Sequence, residues 1–193
     1  MAEMKFKFTI QSYQTEAVDS VVGVFAGQPF NDHLTYRRDV EIKRDVTNWM
    51  LSDEELYMGF ANAKVQLDYG HLLDNVRRIQ ARNNIKLSAS LKSGGLGVCS
   101  LDVEMETGTG KTYVYIKTMF ELNKLYGWSK FIVVVPSIAI REGVQKSFKT
   151  MQEHFMEYYG KKARFFVYNS KNLTDIDNYS QSADINVMII NTQ

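Results

Sequence analysis

Between Met105 and Thr112 the chain reads Met-Glu-Thr-Gly-Thr-Gly-Lys-Thr. Two glycines one residue apart let a backbone turn aim successive N–H groups at a single anion, with no side chains in the way. Lys111 then adds a point charge suited to β- and γ-phosphates, and the Thr112 hydroxyl can take one coordination place on Mg²⁺. The chemistry this spacing fits is the holding of a phosphate chain. The usual pattern carries a further glycine six residues before the lysine, and Met105 stands there instead. What is kept is the Gly108-Thr109-Gly110-Lys111-Thr112 part, where the phosphates would sit.

Such a loop must be carried between a strand and a helix. Leu101, Val103 and Met105 alternate with polar residues and predict a short strand before it. Asp102 and Glu104 would occupy the other face, which is unusual for a strand buried in a parallel sheet and predicts a polar neighbour for that face. After the loop, Tyr115, Met119, Leu122 and Tyr126 recur at helical spacing with Ile116 and Phe120 alongside, and Gly127 supplies a stop.

The remaining pattern extends this frame. Phe6, Phe8 and Ile10 alternate like a strand, and Ala17, Val18, Val21, Val22 and Phe25 trace a helical face that Gly27 ends. Residues 28–68 mix aromatics with Arg37, Arg38, Asp39, Glu41, Lys43, Arg44 and Asp45, which read as a solvated surface. Leu72, Leu73, Val76 and Ile79 mark another helix, with Arg77, Arg78 and Arg82 off its apolar stripe, open either to phosphates or to water. Ser93 to Gly97 reads as a turn. Phe131 to Val135 is a continuous apolar run expected between two helix layers, closed by Pro136 and the prospective N-cap Ser137. A long helix striped by Ile140, Val144, Phe148, Met151, Phe155 and Tyr158 stops at Gly160. Phe165 to Val167 and Val187 to Ile190 predict two more strands, separated by a polar loop from Asn169 to Asp184. Strands alternating with helices predict an α/β domain, a parallel sheet with helices on both faces.

Composition narrows the class. The 193 residues are 45% hydrophobic and 23% charged, with a formal net charge of +1, so any contact with nucleic acid must come from a local surface. Cys99 is the sole cysteine, which rules out an intramolecular disulfide framework and suits a cytoplasmic setting. No apolar run approaches the ~20 residues of a membrane-spanning helix.

Holding phosphates is only half of hydrolysis, which also needs an acid for the Mg²⁺ shell and a group that orients water. Asp53-Glu54 precedes the loop, follows no apolar strand and reads as a helix start behind Ser52; the last strand ends in Asn191-Thr192-Gln193. The chain is therefore expected to be a fragment that carries the nucleotide-gripping half of a catalytic site. His33, His71, His154 and Cys99 share no ligand spacing for zinc.

Taken together, the loop, the Pro-Ser turn after the next strand and the upstream Tyr-Gln helix start resemble superfamily 2 helicases. The runs Met105 to Tyr115 and Lys130 to Gly143 narrow the resemblance to the Res subunit of type III restriction–modification enzymes. The resemblance implies a RecA-like domain, incomplete over residues 100–193, behind an N-terminal helical extension over 1–99. It implies that Thr107 to Tyr113 hold ATP, with Lys111 as the catalytic cation and Thr112 on Mg²⁺. It also implies that Gln14 reads adenine; one amide can donate to and accept from the adenine edge together, and Gln11 is a rival for the role. Pro136, Ser137 and Arg141 match the segment that touches DNA phosphates, and Asn191-Thr192-Gln193 resembles the start of the next DNA-contacting motif.

The implied partners are double-stranded DNA and a methyltransferase (Mod) subunit, with no membrane. The implied activity of the full-length complex is ATP-dependent DNA cleavage, the isolated chain being inactive. Two other readings remain open: another superfamily 2 DNA or RNA helicase, and a nucleotide-binding module without a motor.

Overall fold

The computed structural model describes residues 8–38, 58–93, 95, 97–171 and 173–192. Phe6 of the first expected strand, the charged run from Asp39 to Asp45, the Ser52-Asp53-Glu54 helix start, Gly94, Leu96 and Gln193 lie outside them. In chain order the elements are α1 (Ser12–Gly23), β1 (Leu34–Arg37), β2 (Met58–Ala61), α2 (Tyr69–Arg82), α3 (Lys111–Tyr126), β3 (Lys130–Val135), α4 (Ile138–Tyr159), β4 (Arg164–Val167), α5 (Thr174–Gln181) and β5 (Asn186–Asn191).

Three strands form a parallel sheet in the order β3-β5-β4, with Lys130 opposite Asn186 and Arg164 opposite Asn186 from the other side. Successive side chains of a strand point to opposite faces, and β4 shows which helix takes which face. Phe165 stacks on Phe148 of α4, while Phe166 meets Tyr179 of α5 edge-on. The sheet thus carries helices on both faces, as the alternation of elements predicts. The strand completed last in sequence, β5, takes the central place.

The α3/α4 face holds the main core. Ile116, Met119 and Phe120 of α3 and Val144, Phe148 and Phe155 of α4 close over Val187 and Ile189 of β5. Helix α3 also buries its far side, where Val114, Leu122 and Tyr126 meet Val18 and Val22 of α1 together with Trp128. The single stripe expected for α3 is therefore split between two neighbours, because this helix lies between α1 and the sheet. Its end is fixed by Gly127 at φ 78°, where a Cβ would stand 1.9 Å from the Asn31 carbonyl oxygen. Ser137 caps α4 by accepting from the Ile140 amide, and Gly160 ends that helix in the left-handed region at φ 67°.

Several expectations are corrected. Leu101 to Glu106 has no regular secondary structure and pairs with no strand among the described residues, so the predicted strand before the loop is not formed. A strand exists only where a neighbour takes its backbone groups, and side-chain alternation cannot supply one. Its polar side meets a basic group, since Asp102 lies 3.5 Å from the Lys92 ammonium. Phe8 to Ile10 likewise form no strand; the Phe8 ring lies instead against Tyr113 and His154. The apolar run in β3 is not covered on both sides, for Ile132 and Val134 are 55% and 61% exposed. Finally, the polar stretch from Asn169 to Asp184 contains α5, whose start has no side-chain cap.

Within the opaque region before α2, the described residues Leu34–Arg37 and Met58–Ala61 form an antiparallel pair, β1 with β2, in register from Leu34–Ala61 to Arg37–Met58. Arg38 is not a solvated charge. It is buried beside Asp177, at 3.3 Å, and the Ser180 hydroxyl, at 3.1 Å, and so ties the end of β1 to α5. Asn62 clamps the start of β3, accepting from the Ser129 and Lys130 amides at 2.8 Å and donating to the Lys130 carbonyl at 2.7 Å. Arg77 of α2 is half-buried and donates to the Ser88 and Ala89 carbonyls. No described helix is long and apolar enough to cross a membrane.

Candidate functional site

The loop reaches α3 through two left-handed glycines, Gly108 at φ 83° and Gly110 at φ 87°. L-residues adopt that region at a cost, so both positions favour glycine. They differ in their surroundings. A Cβ on Gly108 would meet open space, whereas one on Gly110 would sit 2.5 Å from the Gln14 amide nitrogen. Gly110 also starts α3, accepting the Val114 amide at 3.1 Å. The amides of Lys111, Thr112 and Tyr113 belong to the first turn of that helix, where no intrahelical carbonyl is available and the helix dipole favours an anion.

Inside the loop the Glu106 carbonyl collects three donors: Lys111 Nζ at 2.7 Å, Thr109 Oγ1 at 2.7 Å and the Thr109 amide at 3.4 Å. Lys111 is exposed and folds back over the turn. An open concavity of about 510 Å³ lies beside it, lined by Val103, Glu104, Met105, Glu106 and Lys111. Thr107 and Gly108 are exposed, and Thr112 is half-buried. The Tyr113 side chain turns into the core, with its ring on Phe155 and its hydroxyl 3.1 Å from His154 Nε2, so only its backbone faces the loop's concern. Burial pushes the Tyr113 phenol up, with the neighbouring Tyr158 adding to the shift, and pulls the His154 imidazole below its ordinary value.

The second wall comes from α1. Gln14 is buried, and its Nε2 donates to the Thr109 carbonyl at 2.9 Å across 95 positions of sequence. The Tyr13 hydroxyl donates to the same oxygen at 3.2 Å. Of the two glutamines at this helix start, Gln14 is the one brought to the loop. Gln11 is the exposed residue preceding α1, and its side chain makes no capping hydrogen bond. Tyr13 entered the sequence reading only as part of the Tyr-Gln helix start, with no contact of its own assigned.

At the end of β3, Pro136 is exposed, and Ser137 opens α4. Arg141 lies one turn into that helix. Its guanidinium donates to Asn191 Oδ1 at 3.0 Å and to Glu142 Oε1 at 3.1 Å. The Thr192 amide donates to the Val135 carbonyl at 3.1 Å, which sets residues 191–192 beside the Pro-Ser turn. Two segments that are 50 residues apart, both singled out for contact with nucleic acid, thus share one corner of the sheet.

With this geometry in place, comparison with known proteins is informative. Residues 74–193 match the family described as type III restriction enzyme, res subunit. The Res subunit of the Escherichia coli type III restriction-modification enzyme EcoP15I is 33% identical over 169 residues, covering 85% of this chain and 15% of that subunit. The EcoPI Res subunit of Escherichia phage P1 is 36% identical over 112 residues, 57% of this chain and 11% of the relative. The StyLTI Res subunit of Salmonella typhimurium is 42% identical over 82 residues, 42% of this chain and 8% of the relative. The chain spans a small part of each of these relatives. The family match covers the loop, the Pro-Ser turn and the whole parallel sheet, and the chain belongs to the family of type III restriction enzyme Res subunits.

Proposed function

We propose that this chain is the ATP-binding part of a DNA-dependent ATPase, which in the full-length complex drives cleavage of double-stranded DNA alongside a methyltransferase subunit. One observation carries the reading: Gln14 and Lys111, distant in sequence, border the same left-handed Gly110. In this reading the amides from Thr107 to Tyr113 and the Lys111 ammonium hold the phosphates, and the Thr112 hydroxyl serves Mg²⁺. The chemistry of this donor set fits the group. Two glycines keep the loop clear of Cβ atoms, and a helix start with a lysine favours a polyanion over a neutral ligand. The bound metal would supply charge neutralisation at the β- and γ-oxygens. Gln14 would read the purine edge, its amide offering a donor and an acceptor together.

Pro136, Ser137, Arg141 and Asn191 form the proposed contact to a DNA strand. Ser137 and the first turn of α4 offer a helix start to phosphate, and Arg141 would exchange an intramolecular partner for it. The isolated chain is expected to bind Mg·ATP and to hydrolyse it negligibly, since the acidic residues hydrolysis requires are not among those assigned.

The test is calorimetric titration of Mg·ATP into the chain and into Lys111→Ala. Loss of about tenfold or more in affinity is expected from removing a charge-assisted hydrogen bond. Equal affinity of the two proteins would remove the loop from the reading.

A further inference from the structure

Helix α1 does not secure its own beginning. Gln11 precedes it without a side-chain capping bond, and its first turn holds no acidic residue to meet the helix dipole. Its first turn is held from outside instead, by three consecutive residues. Tyr13 and Gln14 donate to the Thr109 carbonyl, and Thr15 Oγ1 accepts from Lys117 Nζ at 3.2 Å.

Lys117 is an unexpected residue for that place. It lies in the middle of α3 at 4% exposure, six positions past Lys111. Its ammonium sits 5.8 Å from the centroid of the Tyr158 ring and lies close enough to His154 to oppose that imidazole's protonation. A buried cation is costly, and the Lys117 ammonium meets Thr15 in the first turn of α1, the positive end of that helix and an unfavourable place for a cation. An apolar side chain of the same length would fill the space without either cost. What the ammonium supplies is a fixed donor to Thr15, the residue next to Gln14, with the Tyr158 ring as a second anchor.

We infer that Lys117 is a positioning residue for purine recognition: through Thr15 it sets the rotation of the first turn of α1, so that the Gln14 amide meets the loop at Thr109 and Gly110. This rests on the reading of the loop as a nucleotide site with Gln14 at the base. Lys117 does not touch the nucleotide in this arrangement; it acts through α1.

The experiment compares dissociation constants for Mg·ATP and Mg·GTP, measured with fluorescent analogues of each. The proteins are the parent chain and its Gln14→Ala, Lys117→Met, Thr15→Val and Thr15→Ser variants, with thermal melts run alongside. The parent is expected to prefer ATP, and Gln14→Ala to abolish that preference. Lys117→Met is expected to lower the ATP-to-GTP preference by about tenfold, the scale of one net hydrogen bond, without lowering the melting temperature. Thr15→Val reports on the same link should Lys117→Met fail to fold, and Thr15→Ser, which keeps the acceptor, is expected to retain the preference. If Gln14→Ala abolishes the preference while Lys117→Met or Thr15→Val preserves it, the positioning role is overturned and the nucleotide reading stands. If Gln14→Ala leaves the preference intact, the base-reading role itself is wrong, and the inference falls with it.

Discussion

The two faces of the parallel sheet are built from the same aliphatic residues and end in opposite environments. On one face Val187 and Ile189 are 0% exposed beneath α3 and α4. On the other, Ile132 and Val134 of β3 stand more than half exposed, while α5 covers the β4 side through Tyr179. Hydrophobicity placed these residues in a sheet; it did not decide which of them would be covered. Covering depends on which helix the connection delivers, and the eight-residue α5 reaches less far than the 22-residue α4.

Substitutions can sharpen this contrast. Phe155→Ala, on the filled face, empties a site stacked against Phe120 and Tyr113, and is expected to cost about 3–5 kcal/mol in urea unfolding. A cost below about 1 kcal/mol would mean that this face is far less tightly packed than its burial indicates. A smaller effect is expected at the rim of the same face. His154 has its pKa lowered mainly by burial, with Lys117 opposing protonation further and Glu157 acting the other way. A group whose folded pKa lies below its unfolded value near 6.5 contributes stability that is complete above that pH. That contribution is lost as pH falls through the folded value. The urea midpoint should therefore drop from pH 7.5 to 5.5, and drop less in His154→Gln; parallel profiles for the two proteins would remove His154 from the account. Smallest of all, Val134→Thr on the open face is expected to change stability by no more than about 0.5 kcal/mol. A loss comparable to Phe155→Ala would break the comparison outright.

The same contrast explains what was legible in the sequence. Helices α1, α3 and α4 carry valine or aromatic stripes and glycine or serine boundaries, which are local signals. Strands β3, β4 and β5 are apolar runs between those boundaries. The β1–β2 pair has four-residue strands, with every β1 residue exposed, and therefore no alternation to read. Helix α5 is short, lacks a side-chain cap and buries no residue fully, so its Asn-, Asp- and Ser-rich sequence reads as loop. Leu101 to Glu106 fails in the opposite sense, since alternation is present and a partner is not.

At the candidate site the loop was readable as a short motif, whereas Gln14 entered only through the resemblance, with Gln11 as a rival. Their adjacency came through the resemblance rather than through any residue pattern. The Tyr13 contact, the Lys117–Thr15 link and the Arg141–Asn191 pair join distant segments, and nothing in their sequence neighbourhoods announces them.

The bond from Gln14 to Thr109 also bears on how the chain matures. A ribosome adds residues one at a time, at about 5–20 per second, so α1 leaves the exit tunnel well before α3 exists to receive it. The valine face of α1 packs on Val114, Leu122, Tyr126 and Trp128, all of which lie beyond residue 110. For several seconds of synthesis that face lacks most of its native partners, with Val65 and Met105 alone of its cluster made earlier, and closing a contact across 95 positions carries a loop-entropy cost that later packing must offset. The Gln14–Thr109 bond, and the packing of α1 on α3 that surrounds it, can therefore form only once the second half of the chain has been made.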